Sequence, residues 1–222
     1  MLSSYFKEVY TVEDVTTLPV VTEKDFDLDW KDSDLNFDET TATKKLQKLN
    51  ADKSPGSDGI HPLLLKECAG VLAEPMSLLF QQSFDMGMLP DDWKTANIVP
   101  IFKKGDHTNR TNYRPVSLMS VPCKIMESII KEKLMKFLES NELLCKEQHR
   151  FWSGKSCLTN LLEALENWTQ ALDEGYGLDV VYLDYHKAFD SVPHRSLIEK
   201  LKTFGIKGKL LRCWITSLHQ EQ

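Results

Sequence analysis

Residues 96–118 carry the pattern of a β-hairpin set between helical segments. The run Ala96–Phe102 is apolar and rich in β-branched residues, which predicts a strand. Lys103–Asp106 follows with a glycine and predicts a turn, and Arg114–Leu118 is predicted to be the return strand. Strands that are neighbours in sequence pair without a crossover helix, so this hairpin excludes a purely helical fold and predicts an antiparallel sheet.

The other elements are predicted from apolar residues at helical spacing. One or two helices are expected at about 62–87, and single helices at about 39–49, 122–139, 156–173, 194–204 and 209–219. Pro75 is expected to start or break a helix, and Ser156 to cap one. The order of helices, hairpin, helices, strand and helix predicts an α+β fold, in one compact unit with two lobes.

Charge is distributed unevenly along the chain. The net charge is −6, yet residues 94–136 hold nine Lys and Arg against three acids. A basic segment inside an acidic chain suits a local groove for phosphates better than a surface that binds nucleic acid everywhere. Residues 1–42 hold eleven acids and three lysines. We therefore expect residues 1–40 to be an acidic lead-in that is partly disordered.

The five cysteines favour a reducing, intracellular environment. Their number is odd and their spacing is wide, so a disulfide framework is not expected. Cys145, His149 and Cys157 form an alternative, a partial zinc site, but no C-x2-C pair supports it. No apolar stretch reaches 18 residues, so no membrane-spanning segment is expected.

An apolar run that ends in a carboxylate is the main chemical signal. Asp179–Asp184 predicts a short buried strand that places Asp184 at the edge of a sheet. Nucleotidyl transfer uses carboxylates to hold two Mg²⁺ ions, which prefer oxygen ligands. Asp184 and the carbonyl oxygen of Tyr185 are therefore candidate metal ligands. The alternative is that Asp184 caps the following helix.

Five motifs in this chain resemble, in order, those of reverse transcriptases from non-LTR retrotransposons. Their sequences are most similar to those of the jockey-like, chicken-repeat clade. They extend over about residues 44–218. The resemblance implies the fingers and part of the palm of a right-hand polymerase, in a domain at 41–222. The motifs are Lys53–Gly59, Trp93–Gly105, Asn112–Leu118, Gln148–Cys157 and Asp184–Asp190.

The resemblance implies roles for the residues around Asp184. Asp184 would be one of three catalytic carboxylates that work with Mg²⁺. Phe189 would be the steric gate, an aromatic ring in the place of a ribose 2′-OH that favours deoxynucleotides; the alternative is a core phenylalanine. Tyr185 would contact the nucleotide. Asp190 is expected to be a turn or capping residue.

The resemblance also implies a nucleotide-binding hairpin. Lys104 and Arg114 would hold the incoming triphosphate, with Lys103 as the alternative lysine; without the resemblance, this turn is a solvated hairpin tip. Lys53 and the amides of Gly56 and Gly59 would touch template phosphates. The implied partners are an RNA template, a DNA primer and deoxynucleoside triphosphates, in the nucleus and cytoplasm.

Some positions depart from the family pattern. Arg150 stands where the pattern has glycine, which predicts strain if φ is positive there, and Trp152 stands where it has arginine. The pattern's paired aspartates do not follow Asp184, and the one adjacent aspartate pair is Asp91-Asp92, before the hairpin.

We therefore expect the domain to be truncated before the second carboxylate motif, and the isolated chain to be inactive as a polymerase. The alternatives are a non-catalytic remnant that binds RNA or protein, and a translated pseudogene that folds poorly. The oligomeric state is not predicted by any of these patterns.

Overall fold

The computed structural model describes residues 2–7, 28, 30–184 and 192–218. These residues form helices and one two-stranded antiparallel sheet, in agreement with the predicted α+β class. The elements in chain order are α1 (Leu2–Lys7), α2 (Glu39–Gln47), α3 (Pro62–Glu67), α4 (Ala69–Met86), β1 (Ala96–Phe102), β2 (Tyr113–Met119), α5 (Val121–Ser140), α6 (Cys157–Asp173), α7 (His194–Thr203) and α8 (Gly208–Leu218).

The chain divides into two compact units. The first unit comprises Met1–Met135 and Ala188–Gln222, and the second comprises Lys136–Lys187. The hairpin and most of the helices belong to the first unit, whereas α6 and the segment that ends in Asp184 belong to the second.

The core of the first unit is an aromatic cluster on one face of α4. Phe80 and Phe84 are fully buried there. The ring of Phe37 lies 6.0 Å from that of Phe80 and 5.7 Å from that of Phe84, and the Trp93 ring lies 5.7 Å from Phe80. Leu46 of α2 is also fully buried, because α2 packs on α4. Burial of these rings supplies much of the free energy that stabilises the unit.

Part of the acidic segment belongs to this core. Trp30, Leu35 and Phe37 are buried, and the Trp30 backbone N–H donates to the carbonyl oxygen of Gly205 at 3.2 Å. The boundary predicted at residue 40 therefore does not coincide with the edge of the core. Partial disorder was expected for residues 1–40, of which residues 1, 8–27 and 29 lie outside the described residues.

Asp38 caps the N-terminus of α2. Its carboxylate accepts hydrogen bonds from the Thr41 backbone N–H at 2.7 Å and the Thr41 hydroxyl at 2.8 Å, and also from the Thr40 hydroxyl. These bonds stabilise the charged form, and the Thr40 hydroxyl makes the largest contribution. The pKa of Asp38 is lowered from 3.8 to about 2.

The Asp38 cap predicts a pH-dependent contribution to stability. Because the folded-state pKa is depressed, the contribution is complete above about pH 4 and is lost as the pH falls towards 2. Asp38→Ala is expected to lower the free energy of unfolding by about 1 kcal/mol at pH 7, and by less at pH 3. Urea melts at both pH values measure this. Asp38→Asn is the control, because asparagine caps helices without titrating, and an equal loss for both variants at pH 7 would contradict the prediction.

The segment predicted at 62–87 forms two helices, with the break at Cys68. The prediction that Pro75 starts or breaks a helix is wrong, because Pro75 lies inside α4. Proline there leaves the carbonyl oxygen of Val71 without its helical partner. Val71 is largely exposed, so water can hydrogen-bond to that carbonyl.

The hairpin has the predicted strands in an antiparallel register. Ile101 pairs with Arg114, Val99 with Val116 and Asn97 with Leu118, and these residues share one face of the sheet. The opposite face carries the partners Phe102 and Tyr113 at the end next to the turn. Ile98, Val99 and Ile101 are exposed, so the hairpin contributes little apolar surface to the core.

The remaining predicted helices are confirmed. Ser120 accepts a hydrogen bond from the Cys123 backbone N–H at 3.2 Å and caps α5. Ser156 caps α6 as expected, in a reciprocal pair of hydrogen bonds with Thr159. In the described residues, none of the helices is both long enough and apolar enough to cross a membrane.

The prediction of a buried strand at Asp179–Asp184 is wrong. These residues form no regular structure, and the side chains of Val181, Tyr182 and Leu183 are 79–85% exposed. A strand is stable only when another strand satisfies its backbone hydrogen bonds. Within the described residues the one sheet is the β1–β2 hairpin, which does not pair with this segment.

Candidate functional site

The end of the hairpin next to the turn carries the predicted cations. Arg114 lies in β2 opposite Ile101, and its side chain is exposed. The Lys103 backbone N–H donates to the carbonyl oxygen of Asn112 at 2.8 Å, which extends the register by one pair and assigns Lys103 to the Arg114 face. Lys104 follows in the bend and is also exposed. Three cations therefore lie within a short length of one hairpin.

Aromatic stacking and side-chain hydrogen bonds hold this tip in shape. The rings of Phe102 and His107 are stacked with their centres 3.7 Å apart, and the Tyr113 ring meets Phe102 edge-on at 5.5 Å. The Tyr113 hydroxyl donates to the carbonyl oxygen of His107 at 2.9 Å, and the Asn112 amide donates to that of Asp106 at 2.9 Å. The connection that bears Lys104 is thus ordered by its own contacts.

A glycine is required at this bend. Gly105 has φ +95°, and a Cβ atom there would lie 2.6 Å from the Asn112 amide nitrogen. The helix α1 contacts the same connection, with the guanidinium carbon of Arg110 lying 5.1 Å from the centre of the Tyr5 ring. The sequence indicated the turn, but not that Asn112, Tyr113 and α1 stabilise it.

The loop Lys53–Gly59 is attached to the base of the hairpin. The Ser57 hydroxyl donates to the carbonyl oxygen of Thr95 at 2.8 Å, immediately before β1. Gly56 is buried, and a Cβ atom there would lie 2.3 Å from the carbonyl oxygen of Met119, at the end of β2. The Gly59 N–H already donates to the carbonyl oxygen of Gly56 at 3.3 Å. Lys53 is exposed, and its contact with a template phosphate stays a prediction.

The predicted metal site is described only in part. Asp184 is exposed in the second unit, whereas Tyr185, Phe189 and Asp190 lie outside the described residues. Within the part of the chain that the structure describes, no three His, Cys, Asp or Glu side chains converge as metal ligands. Asp184 and its described surroundings thus do not by themselves fit a two-magnesium site.

Two residues of the alternative zinc site, His149 and Cys145, have other partners. Both nitrogens of the His149 ring have a hydrogen-bonding partner. Nδ1 lies 2.9 Å from the Thr159 hydroxyl, and Nε2 lies 2.9 Å from a Glu163 carboxylate oxygen. The Cys145 thiol donates to the Glu147 carboxylate at 2.6 Å. All five cysteines are free thiols. Burial, with the nearby Glu127 carboxylate, raises the pKa of Cys123 to about 12, so that thiol stays protonated.

Sequence comparisons assign the chain to a family. Residues 101–222, more than half of the chain, match the family described as "Reverse transcriptase (RNA-dependent DNA polymerase)". The chain belongs to the reverse transcriptase family. The match begins near the end of β1 and includes both Arg114 and Asp184, so the hairpin turn, β2 and the carboxylate segment lie within one family domain.

Several curated relatives of this chain are named as transposon proteins. The chain is 30% identical over 165 residues to the RNA-directed DNA polymerase from mobile element jockey, and 29% identical over 158 residues to the probable RNA-directed DNA polymerase from transposon BS, both of Drosophila melanogaster. Each match covers 71% of this chain and 17% of the relative. A TX1 transposon protein of Xenopus laevis is 29% identical over 85% of the chain and 14% of its own length.

These findings confirm the resemblance of the chain to non-LTR retrotransposon reverse transcriptases. The chain spans about one sixth of the length of the curated relatives it matches. The activity, substrates and partners of such a whole protein are therefore only proposed for this chain.

Proposed function

We propose that this domain takes part in RNA-directed DNA synthesis, with Lys104 and Arg114 holding the triphosphate of the incoming deoxynucleotide. The observation that carries the proposal is the hairpin tip. Both side chains are exposed at one end of an ordered hairpin, and neither joins an ion pair among the described residues. Cations without carboxylate partners remain available to phosphate oxygens.

The two residue types suit complementary parts of a triphosphate. Arginine presents a planar fork that binds two phosphate oxygens at once, whereas lysine acts as a compact point charge. Lys103 is the alternative for the lysine role, and the register supports it, since it shares the Arg114 face of the sheet. The two lysines are distinguished by experiment below.

The roles of the residues around Asp184 stay proposals. Asp184 and the Tyr185 carbonyl oxygen are assigned as Mg²⁺ ligands, and Phe189 as the steric gate that excludes a ribose 2′-OH, on the match of Asp184–Asp190 to the family motif. The described residues do not by themselves form the metal site. The hairpin and this segment are proposed to correspond to polymerase fingers and palm.

The nucleic-acid partners are proposed to be an RNA template and a DNA primer, engaged in the nucleus and cytoplasm by a protein of which this domain is a part. Lys53 is exposed beside the base of the hairpin and is assigned to a template phosphate. The Gly56 amide remains a proposed phosphate contact. The Gly59 amide is a weaker candidate, because it is already hydrogen-bonded inside the loop.

Triphosphate binding tests the hairpin assignment directly. The protein is titrated with a fluorescent deoxyadenosine triphosphate at low salt, and affinity is followed by anisotropy. Arg114→Ala and Lys104→Ala are each expected to weaken binding by about tenfold, because hydrogen bonds to charged groups contribute about 1.5–3 kcal/mol. Lys103→Ala is expected to have a smaller effect, and the reverse order of the two lysines would transfer the role to Lys103.

Lys133→Ala is the matched control, since it removes one positive charge from an exposed position on α5 of the same unit. It is expected to leave the dissociation constant unchanged within about twofold, because exposed charges more than about 10 Å apart are screened at ordinary ionic strength. Equal losses in Lys133→Ala and Lys104→Ala would show general attraction to a polyanion and would refute the hairpin assignment.

The 222-residue polypeptide, tested as it stands, is expected to show no polymerase activity. After Asp184 its sequence contains Asp190 as the one further aspartate, whereas two Mg²⁺ ions need several converging carboxylates. Primer extension on an RNA template with Mg²⁺ and deoxynucleotides measures this. Incorporation that disappears in Asp184→Ala would contradict the prediction, and incorporation that persists in that variant would indicate a contaminating polymerase.

A further inference from the structure

A groove lies between α5 and α8, two helices of the first unit. Its volume is about 490 Å³, and the described residues that line it come from these two helices. The floor is apolar: Ile130 is buried, while Leu134 and Trp214 are half-buried. An accessible indole beside aliphatic side chains gives a partner apolar area to cover, and tryptophan is among the residues that contribute most to binding.

Two lysines line the same groove. Lys124 and Lys131 lie seven residues apart, so they share one face of α5 with about 10 Å between them along the helix axis. Both are exposed, and neither joins an ion pair among the described residues. Glu127 is the one acid in the lining, and its carboxylate accepts a hydrogen bond from the Cys123 thiol at 3.8 Å. The groove therefore combines an apolar floor with an excess of positive charge.

The chain itself contains a segment of complementary chemistry, residues 8–27, which lie outside the described residues. This acidic segment has one lysine and six acids, which are Glu8, Glu13, Asp14, Glu23, Asp25 and Asp27. Its apolar residues alternate with these acids, as in Val12-Glu13-Asp14-Val15. One stretch of chain therefore offers carboxylates to the lysines and aliphatic side chains to the floor.

Both ends of the acidic segment are attached to the unit that carries the groove. It follows α1, whose Tyr5 ring lies 5.1 Å from the guanidinium carbon of Arg110 in the hairpin connection. It precedes Leu28, whose carbonyl oxygen would lie 2.1 Å from a Cβ atom at Gly205, three residues before α8 begins. From Gly208 to Trp214, α8 rises about 9 Å, which a few extended residues span at about 3.3 Å each.

This attachment makes even a weak contact effective. A tethered segment reaches an effective concentration on the order of 1 mM, so a contact with a dissociation constant of about 0.1 mM is occupied roughly ten times out of eleven. An acidic segment of another protein has no such tether and has to bind the groove from solution. The tether thus favours the segment of the same chain as the occupant.

We propose that the groove between α5 and α8 is the docking site of the acidic segment, residues 8–27 of the same chain. Carboxylates of the segment pair with Lys124 and Lys131, and its aliphatic side chains pack on Trp214. Exposed ion pairs contribute little each, so the apolar contacts supply most of the affinity. The docked segment joins α1, which contacts the hairpin connection, to α8. This contact does not depend on the proposed triphosphate role of the hairpin.

Protection of the two lysines from acetylation tests the proposal in the full chain. The protein is treated briefly with N-hydroxysuccinimidyl acetate, and mass spectrometry gives the rate at each lysine. Lys124 and Lys131 are expected to react at least about threefold more slowly than in a variant whose residues 8–27 are replaced by a glycine–serine segment of equal length. Lys133 is the matched control: it is exposed on α5, two residues from Lys131 and so on another face, and its rate is expected not to change.

A peptide added to the replaced variant tests the contact independently of the tether. A synthetic peptide of residues 8–27 at about 1 mM is expected to restore the protection of Lys124 and Lys131. The same peptide with Val12→Ser, Val15→Ser and Leu18→Ser keeps every charge and is expected to protect much less, because it cannot cover the apolar floor.

Three results would overturn the proposal. The rates at Lys124 and Lys131 could be the same in the unaltered chain and in the replaced variant, which would show that the segment does not cover them. Equal protection by the two peptides would show general attraction of acids to lysines. Protection in the unaltered chain that rises with protein concentration would identify a second copy as the occupant. Triphosphate affinity is not measured in this experiment, so the two proposals fail independently.

Discussion

Phe80→Ala is expected to lower the free energy of unfolding by about 3–5 kcal/mol, the cost of removing a buried aromatic ring. Phe80 is fully buried, and its ring lies against Phe37 and Trp93 at centre distances of 6.0 and 5.7 Å. These neighbours come from the segment before α2 and the segment before β1. Collapse around the cavity would require both segments to move, so little of the lost contact can be recovered.

This loss is a large fraction of the total free energy of unfolding, because small domains are stable by only about 5–15 kcal/mol. Urea denaturation followed by circular dichroism measures it, and the unaltered slope of the transition would show that the unfolded state is the same. Leu79→Ala is the matched control: Leu79 is the neighbouring residue on α4 and is 39% exposed. It is expected to cost about 1 kcal/mol or less. Equal losses in the two variants would contradict the assignment of Phe80 to the centre of the core.

The sequence predicted those elements whose signals are local. The strand β1, its turn and the helices α5 and α6 are each specified by a short run of residues, including the capping Ser156, and all are confirmed. The same holds for Lys104 and Arg114, whose exposure follows from charge on a hairpin. Their role in binding triphosphate stays a prediction, because exposure alone does not identify a ligand.

Non-local effects account for the wrong predictions. The run Asp179–Asp184 has strand-forming residues, yet a strand depends on a partner that the run itself does not encode. Pro75 is tolerated in α4 because Val71, whose carbonyl oxygen it frees, is largely exposed, and exposure depends on how the helix packs. Trp30 lies in the core, although the acidic residues around it in the sequence gave no hydrophobic periodicity that predicts its burial.

The candidate site shows the same division. The motif Lys53–Gly59 pointed to backbone amides near phosphate, but the structure gives Gly56 a packing role that no local pattern reveals. Gly56 fits against the Met119 carbonyl, 63 residues further along the sequence, and Ser57 bonds to Thr95. These contacts fix the loop to the base of the hairpin that carries Lys104 and Arg114.

Gly56→Ala is accordingly expected to destabilise the first unit by about 1–3 kcal/mol or more, the usual cost of overpacking. Its Cβ atom would lie 2.3 Å from the Met119 carbonyl oxygen and 2.5 Å from the Ser120 Cα atom, and both are backbone atoms that cannot rotate away. Met119 ends β2 and Ser120 caps α5, so relief of the clash requires the loop to move away from the junction between the hairpin and α5.

Two other glycines are controls for this substitution. Gly70→Ala meets nothing within 4 Å in α4 and is expected to stabilise the chain by about 0.5–1 kcal/mol, because alanine favours helix. Gly59→Ala also meets open space but has φ +70°, so it is expected to cost about 1–2 kcal/mol through backbone strain alone.

Melts of the three variants distinguish steric overlap in Gly56→Ala from backbone strain in Gly59→Ala and from helix propensity in Gly70→Ala. Triphosphate binding by the same variants measures the effect on function. If Gly56 serves the hairpin through packing, Gly56→Ala weakens triphosphate binding together with stability, whereas Gly59→Ala leaves binding intact at temperatures where the chain is folded. Loss of binding in Gly59→Ala alone would instead show that the loop contacts the ligand directly, and would assign the motif to recognition rather than to support of the hairpin.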